Sequence, residues 1–150
     1  MSQQDVKAYL QQLLGKTLLD IRLVCEMIVL DFGEFGVHAQ GFTRILEGND
    51  ILLTTLDYHN WDGVTDTNNN EWYNLEQFKN KIVKNIVAEI ELTATNDLFI
   101  RLEKNITIQA FNSNGPSHCN EIEEQEQWRF LSDDENMHIV VYNKNIEIQR

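Results

Sequence analysis

The residues of this chain that could do chemistry are its histidines, its two cysteines and its many carboxylates. None of the histidines has the i, i+4 partner or nearby cysteine pair of a zinc site: His38, His59, His118 and His138. Cys25 and Cys119 are far apart in the sequence and neither belongs to a C-x-x-C pair, so we expect two free thiols. The spacing of these residues matches no nucleophile-and-base motif.

The segment Asp66-x-Asn68-x-Asn70 begins like a calcium-binding loop. Its sixth position is Glu71, where glycine is required, and its twelfth is Gln77, where a bidentate glutamate is required. The chain also lacks a phosphate-binding glycine loop and a G-x-S-x-G motif. We therefore predict no metal and no cofactor. A pair of carboxylates for glycoside hydrolysis stays open, because the separation of such a pair is spatial and not sequential.

The carboxylates themselves are unevenly distributed. No basic residue lies between Arg44 and Lys79, and Arg129 is the only one in 121–135. Crowded carboxylates repel one another, and a surface that steers and binds a basic protein would justify that cost. The two acidic clusters contain Glu47, Asp50, Asp57, Asp62, Asp66, Glu71 and Glu76, and Glu121, Glu123, Glu124, Glu126, Asp133, Asp134 and Glu135. Solvated loops without a partner are the alternative.

Large aromatic side chains are interleaved with the first cluster. Tryptophan and tyrosine are enriched among binding hot spots, although they could also fold back to anchor their own loop. Trp61 is the best candidate anchor, because it offers a large area at low rotamer cost and lies between Asp57 and Asp62. The predicted partner-binding residues are Asp57, Tyr58, Trp61, Asp62, Asp66, Glu71, Trp72, Glu121, Glu123 and Glu124.

Hydrophobic periodicity indicates the elements that must position these residues. It predicts a helix over 3–14 capped by Ser2, a short helix from Leu75 to Lys79 capped by Asn74, and about ten strands. A long loop over 56–74 and an insertion over 112–124 contain most of the candidate binding residues. The expected fold class is α+β with predominantly antiparallel sheet.

The chain also reads as one unit written twice. Leu10, Leu13 and Gly15 match Leu75, Phe78 and Asn80, and with gaps the match continues through the strands. Gly15 and Asn80 are residue types that tolerate the left-handed conformation at a helix end. We expect a single domain over 1–150, built from units at about 3–55 and 75–142 that loop 56–74 joins.

Size and charge narrow the function further. The 150 residues carry a formal charge of -12, which argues against nucleic acid and anionic membrane surfaces as partners and favours a basic protein. No apolar run approaches the roughly 20 residues of a membrane span, and the polar start Met1-Ser2-Gln3-Gln4-Asp5 is unlike a signal peptide. The expected location is the cytoplasm.

Two segments carry a family resemblance. Leu14-Gly15-Lys16-Thr17-Leu18, and Glu126-Gln127-Trp128-Arg129-Phe130 followed by Met137-His138-Ile139-Val140-Val141, look like the opening and closing parts of small β-rich bacterial proteins. Such proteins resemble the immunity proteins of bacterial toxin systems in being small, acidic and without enzymatic motifs. The resemblance implies a binding role and transfers no functional residue.

The sequence therefore predicts a non-catalytic, immunity-type protein that blocks the active site of a basic toxin domain. Two alternatives remain open. One is an enzyme of unknown reaction with an acidic site in loop 56–74. The other is a structural module that forms dimers, and the sequence does not determine the oligomeric state.

Overall fold

The computed structural model describes residues 1–24, 27–57, 64, 70–113 and 125–150, and of residues 70–73 it describes the backbone only. Two α-helices lie in this part of the chain, α1 (Gln3–Leu10) and α2 (Asn70–Ile82), and a 3-10 turn, Gln11–Leu13, follows α1. The described residues form twelve strands: β1 (Thr17–Leu18), β2 (Asp20–Val24), β3 (Met27–Asp31), β4 (Phe35–Ala39), β5 (Thr43–Glu47), β6 (Asp50–Thr54), β7 (Asn85–Leu92), β8 (Leu98–Leu102), β9 (Ile106–Ala110), β10 (Glu126–Ser132), β11 (Met137–Tyr142) and β12 (Ile146–Gln149).

The strands form two antiparallel sheets. The first has the order β1-β7-β8-β9-β5-β6 and the second β12-β11-β10-β4-β3-β2. Leu19 alone separates β1 from β2, so the chain passes from one sheet to the other within a single extended segment. The predicted fold class, α+β with mostly antiparallel sheet, is confirmed.

The two sheets share one apolar core. Alternate residues of the strands point inward, as the burial of Phe35, Val37 and Ala39 along β4 illustrates. The largest enclosed side chains are Trp128 and Phe130 on β10. Trp128 satisfies its indole N–H by donating to the carbonyl oxygen of Asn96 at 2.8 Å, so its burial leaves no polar atom unpaired.

Helix α1 begins as predicted and ends earlier than predicted. The Ser2 side chain accepts from the Asp5 backbone N–H, while the Asp5 carboxylate accepts from the Ser2 backbone, which completes a capping box. The predicted helix 3–14 is divided into α1 and the 3-10 turn, and Gly15 follows at φ +78°. The left-handed conformation predicted for Gly15 is therefore present.

Three predictions for the second helix are wrong. Helix α2 begins at Asn70, so residues 70–74 are not part of a loop, and Asn74 lies inside the helix instead of capping it. Asn80 also lies inside α2, and the left-handed residue beyond the helix is Lys84 at φ +60°. Asparagines and aromatics are weak helix formers, but the buried side chains of Leu75 and Ile82 anchor one face of α2 to the core.

The strand boundaries differ less from prediction. The continuous strand expected over Thr17–Val24 is interrupted at Leu19, and the strand expected from Lys81 begins at Asn85 because α2 occupies the intervening residues. Strand β11 has the predicted bounds, Met137–Tyr142.

The two halves of the chain have corresponding strand connections. In each half a helix precedes a three-stranded meander, β2-β3-β4 or β7-β8-β9. The hairpin that follows each meander pairs with the meander of the other half: β5 pairs with β9, and β10 pairs with β4. Each sheet therefore contains strands from both halves.

Backbone hydrogen bonds at corresponding positions of the two halves also have the same pattern. The Gly15 N–H donates to the Val87 oxygen at 2.9 Å, and the Lys84 N–H donates to the Leu18 oxygen at 2.7 Å. At the far ends of the sheets, the Gly48 N–H donates to the Asn105 oxygen and the Asp133 N–H to the Glu34 oxygen, each at 2.9 Å.

Candidate partner-binding surface

Asp57 is the one predicted binding residue whose side chain lies within the described residues. Its Oδ2 accepts from the Thr54 backbone N–H at 2.9 Å and from Asn74 Nδ2 at 3.0 Å, and its Oδ1 accepts from Thr54 Oγ1 at 3.1 Å. The carboxylate thus joins the end of β6 to α2. The sequence does not predict these hydrogen bonds, because its pattern indicates Asn74 as a helix cap.

The other predicted binding residues are described partly or not at all. Glu71 and Trp72 belong to the first turn of α2, which brings their backbone to the same end of the helix as Asn74. Their side chains lie outside the described part. The remaining predictions also lie outside the described residues: Tyr58, Trp61, Asp62, Asp66, Glu121, Glu123 and Glu124. The two cysteines, Cys25 and Cys119, lie outside it as well.

The second acidic cluster is not one surface. Glu126 begins β10, whereas the residues 133–135 follow its other end. A strand of this length extends roughly 20 Å, at about 3.3 Å a residue. Glu126 is moreover neutralised by Arg129, whose Nε and Nη2 donate to its two carboxylate oxygens at 2.5 and 2.6 Å. Acids that are close in sequence are therefore separated by the strand that joins them.

The turn after β10 forms a local acidic rim with a neighbouring turn. The Asp133 backbone N–H donates to the Glu34 carbonyl oxygen, which places the β10–β11 turn beside the β3–β4 turn. Lys16 lies 2.5 Å from the Glu34 carboxylate, and this hydrogen bond is the main reason that the pKa of Glu34 lies below its ordinary value. The exposed Asp134 and Glu135 extend the rim into solvent.

Part of the first acidic cluster is compensated. Lys81 on α2 lies 3.1 Å from Glu47 at the end of β5. Lys79 similarly lies 2.9 Å from Asp20, and its hydrogen bond is the main reason for the lowered pKa of that carboxyl group. Segments 58–73 and 114–124 contain six acidic residues and no lysine or arginine.

A polar network that the sequence did not predict crosses the outer face of the second sheet. Arg129 on β10 is paired with Glu126 and lies 2.9 Å from His138 Nδ1 on β11 through its Nη1. His38 on β4 is directly opposite Arg129 in the register. Burial is the main cause that lowers the pKa of His38, and the positive charge of Arg129 adds to it.

This network stabilises the second sheet. It leaves few hydrogen-bond donors of Arg129 for a ligand. The guanidinium of Arg129 already donates to both oxygens of Glu126 and contacts His138, and Glu126 raises its pKa. Arg44 lies at the corresponding place in the first sheet, where its Nε donates to Gln109 at 2.6 Å and its guanidinium lies 5.5 Å from the Phe111 ring centre. Both arginines lie on strands whose neighbouring side chains are buried. The pairing of β4 with β10 joins residues that are far apart in the sequence. No local sequence pattern therefore predicts that His38 lies opposite Arg129.

The described side chains do not form a metal site, because no three histidine, cysteine, aspartate or glutamate residues among them are close enough to hold an ion. Among the described residues, no helix has the length and apolar character needed to cross a membrane.

Comparison with known proteins identified no matching family model, no matching curated protein and no matching solved structure.

Proposed function

We propose that this protein is a non-catalytic binding protein of the immunity type, which acts in the cytoplasm and neutralises a basic toxin domain by occluding its active site. The proposed binding segments are 58–73 and 114–124, with Asp62, Asp66, Glu71, Glu123 and Glu124 among the recognising acids. A basic cleft that binds nucleic acid would accept such a surface in place of phosphate.

The distribution of charge is the observation that carries this proposal. Six ion pairs are formed among the described residues, including Lys79–Asp20, Lys81–Glu47 and Arg129–Glu126. The proposed binding segments contain six acids and no basic residue. A basic partner would relieve the repulsion among these acids, and their field would accelerate its association.

The length of one connection supports the same assignment. Strands β4 and β5 are joined by only Gln40–Phe42, whereas the corresponding strands β9 and β10 are joined by 111–125. Each connection begins with an equivalent backbone hydrogen bond. The Gln40 N–H donates to the Gln127 oxygen, and the Phe111 N–H donates to the Phe42 oxygen, each at 2.8 Å. A connection as short as Gln40–Phe42 is therefore sufficient to join two such strands. The fold does not need residues 114–124 for this connection, so they can serve binding.

We also propose that the chain contains two repeated units, each a helix followed by strands, over about 3–55 and 70–142. The second unit starts earlier than the sequence predicted, because α2 starts at Asn70. Support comes from the corresponding meanders and hairpins and from equivalent registers, such as Ile45 opposite Ile108 and Phe130 opposite Val37. Strand β12 and residues 114–124 have no described counterpart in the first unit, and such additions are where a duplicated fold gains a specific partner.

The proposal is tested by the association rate with the product of the neighbouring gene, measured against salt concentration. The triple variant Glu121→Gln, Glu123→Gln, Glu124→Gln should lower this rate about tenfold at low salt and flatten its salt dependence, because electrostatic steering acts on association. The matched control is Asp133→Asn, Asp134→Asn, Glu135→Gln, which removes the same charge from the rim beside Glu34. Equal effects of the two triples would contradict a local binding site.

Trp61 provides a second, non-electrostatic test of the proposed site. If Trp61 is the anchor, Trp61→Ala should cost about 2 kcal/mol of binding free energy, which is roughly a 30-fold rise in Kd, mainly through faster dissociation. An unchanged Kd with an unchanged unfolding curve would remove Trp61 from the interface.

A further inference from the structure

The second sheet has an open edge at β12. Strand β12 pairs with β11, and its other edge pairs with no strand among the described residues. At the other edges, α2 packs against both β2 and β6, and β1, which is only two residues long, pairs with β7 at Asn85 and Ile86, while α1 also contacts β7. Natural edge strands are commonly protected by short length, charged side chains, proline or a bulge. Strand β12, Ile-Glu-Ile-Gln, pairs in a regular register without proline or a bulge, and Glu147 is its one charged residue.

A groove of about 550 Å³ lies beside this edge, between β12 and α1. Tyr9 and Ile146 are partly buried against the core, whereas Ile148 is 37% exposed. An added strand could therefore bury apolar side chains against this wall while its backbone pairs with β12. The residues lining the groove are Met1, Asp5, Tyr9, Ile146, Glu147 and Ile148.

The charged residues that line the groove are Asp5 and Glu147. Hydrogen bonds with Ser2 hold the pKa of Asp5 below its ordinary value, so its charge persists in mildly acidic solution. Side chains alternate along a strand, so Glu147 lies on the face of β12 opposite to Ile146 and Ile148. A complementary strand would place apolar residues toward α1 and basic residues toward Glu147.

This charge pattern selects among possible occupants. A second copy of the chain would pair β12 with β12, and each copy would bring the same carboxylates, Asp5 and Glu147, to the shared edge. Each copy also carries a formal charge of -12. The carboxylates at the edge and the net negative charge both oppose self-association. Both favour a partner with a basic strand.

We propose that β12 and the groove beside α1 bind an extended segment of a partner protein that alternates basic and apolar residues, by adding it as a further strand of the second sheet. Main-chain hydrogen bonds to β12 supply affinity, and the alternating side chains supply specificity. This surface goes beyond the loop-mediated function proposed above and is independent of it, because its residues lie outside 58–73 and 114–124.

The test is a titration of the full chain with a peptide of alternating lysine and valine, followed by the backbone amide shifts in NMR spectra. Shifts should concentrate in Ile146–Gln149 and at Asp5 and Tyr9 at millimolar peptide. Glu147→Lys should weaken binding at least tenfold. Glu91→Lys, the same charge change on β7 of the first sheet, should have little effect.

Two further arms separate strand addition from simple charge attraction. The same peptide with alternate backbone N–H groups methylated should lose binding, because it cannot pair with β12. The triple variant Glu121→Gln, Glu123→Gln, Glu124→Gln should bind the unmodified peptide like the wild type, which keeps this site distinguishable from the loop site.

Several outcomes would overturn the proposal. These are no shifts at millimolar peptide, shifts spread evenly over the acidic surface, equal binding of the methylated peptide, or equal weakening by Glu91→Lys or the loop triple. Sedimentation that shows a dimer, dissociated by Ile148→Lys, would assign the edge to a second copy instead.

Discussion

At the scale of single residues, Asp57 shows that a predicted binding acid also connects two elements of the fold. Its carboxylate accepts hydrogen bonds from Thr54 and Asn74 and so joins β6 to α2. In the sequence, Asp57 belongs to an acidic, polar segment. The sequence could not indicate the hydrogen bonds, because these depend on α2 starting at Asn70 and passing beside the end of β6.

Replacing Asp57 should therefore affect stability more than recognition. Asp57→Ala should lower the free energy of unfolding by about 2 kcal/mol, because hydrogen bonds to a charged acceptor contribute roughly 1.5–3 kcal/mol. Urea unfolding measures this change, with Asp50→Ala at the exposed start of β6 as the control. A stability equal to that of the control would show that the hydrogen bonds of Asp57 contribute nothing.

His38 should make the stability depend on pH. Its folded pKa is lowered from the ordinary 6.5, mainly by burial and also by Arg129. Between that lowered value and 6.5 the unfolded chain binds more protons than the folded one, so stability should fall as pH decreases through this window. The lowered carboxyl pKa values of Asp20 and Glu34 act only below about 4.5, so they do not overlap with it.

The matching measurement is urea unfolding of the wild type and His38→Gln at several pH values from 7.5 to 5. The wild type should lose stability toward pH 5, and the variant should lose less because it has no proton to bind at this position. Parallel curves for the two proteins would contradict the assignment to His38.

At the scale of elements, local sequence signals located the strands better than the second helix. Strand β11 has its predicted bounds because Met137–Tyr142 is apolar and a strong turn, Asn143–Asn145, follows it. The start of α2 has weak helix formers, and the helix depends on burying Leu75 and Ile82 against strands that are distant in sequence. Pairing of β4 with β10 is equally non-local, which is why the network of His38 and Arg129 could not be predicted.

The ends of the two helices differ in one testable respect. Gly15 and Lys84 both have positive φ, at +78° and +60°, but only Lys84 already has a side chain there. A Cβ at Gly15 would meet no atom within 4 Å, so substitution there adds backbone strain alone. Gly15→Ala should lower the free energy of unfolding by about 1 kcal/mol, whereas Lys84→Ala should change it little.

Thermal or urea unfolding of the two variants provides the comparison. Equal effects would mean that the left-handed conformation of Gly15 is not required, and the helix end would have to be stabilised in another way.

At the scale of the whole molecule, we expect segment 114–124 to be separable from the fold. Deleting 114–124 would leave Phe111–Ser113 and Gln125 to join β9 to β10, close to the length of the corresponding connection Gln40–Phe42. The hydrogen bond from the Ser113 N–H to Gln127 Oε1, at 2.9 Å, would be retained. The shortened protein should keep its far-UV circular dichroism and lose less than about 1 kcal/mol of stability, because shortening a surface loop costs little.

The same deletion should weaken binding of the partner. A shortened chain that unfolds would contradict the claim that the fold does not require this segment, and a shortened chain that binds normally would remove the segment from the interface.

The measurement that tests the central claim most directly is a titration of toxin activity. Where a neighbouring gene encodes a toxin domain, that domain would be assayed with increasing amounts of the purified protein. We predict that its activity falls linearly to zero at one molecule of this protein per toxin and returns as salt is raised. Full toxin activity in the presence of excess protein at low salt would contradict it.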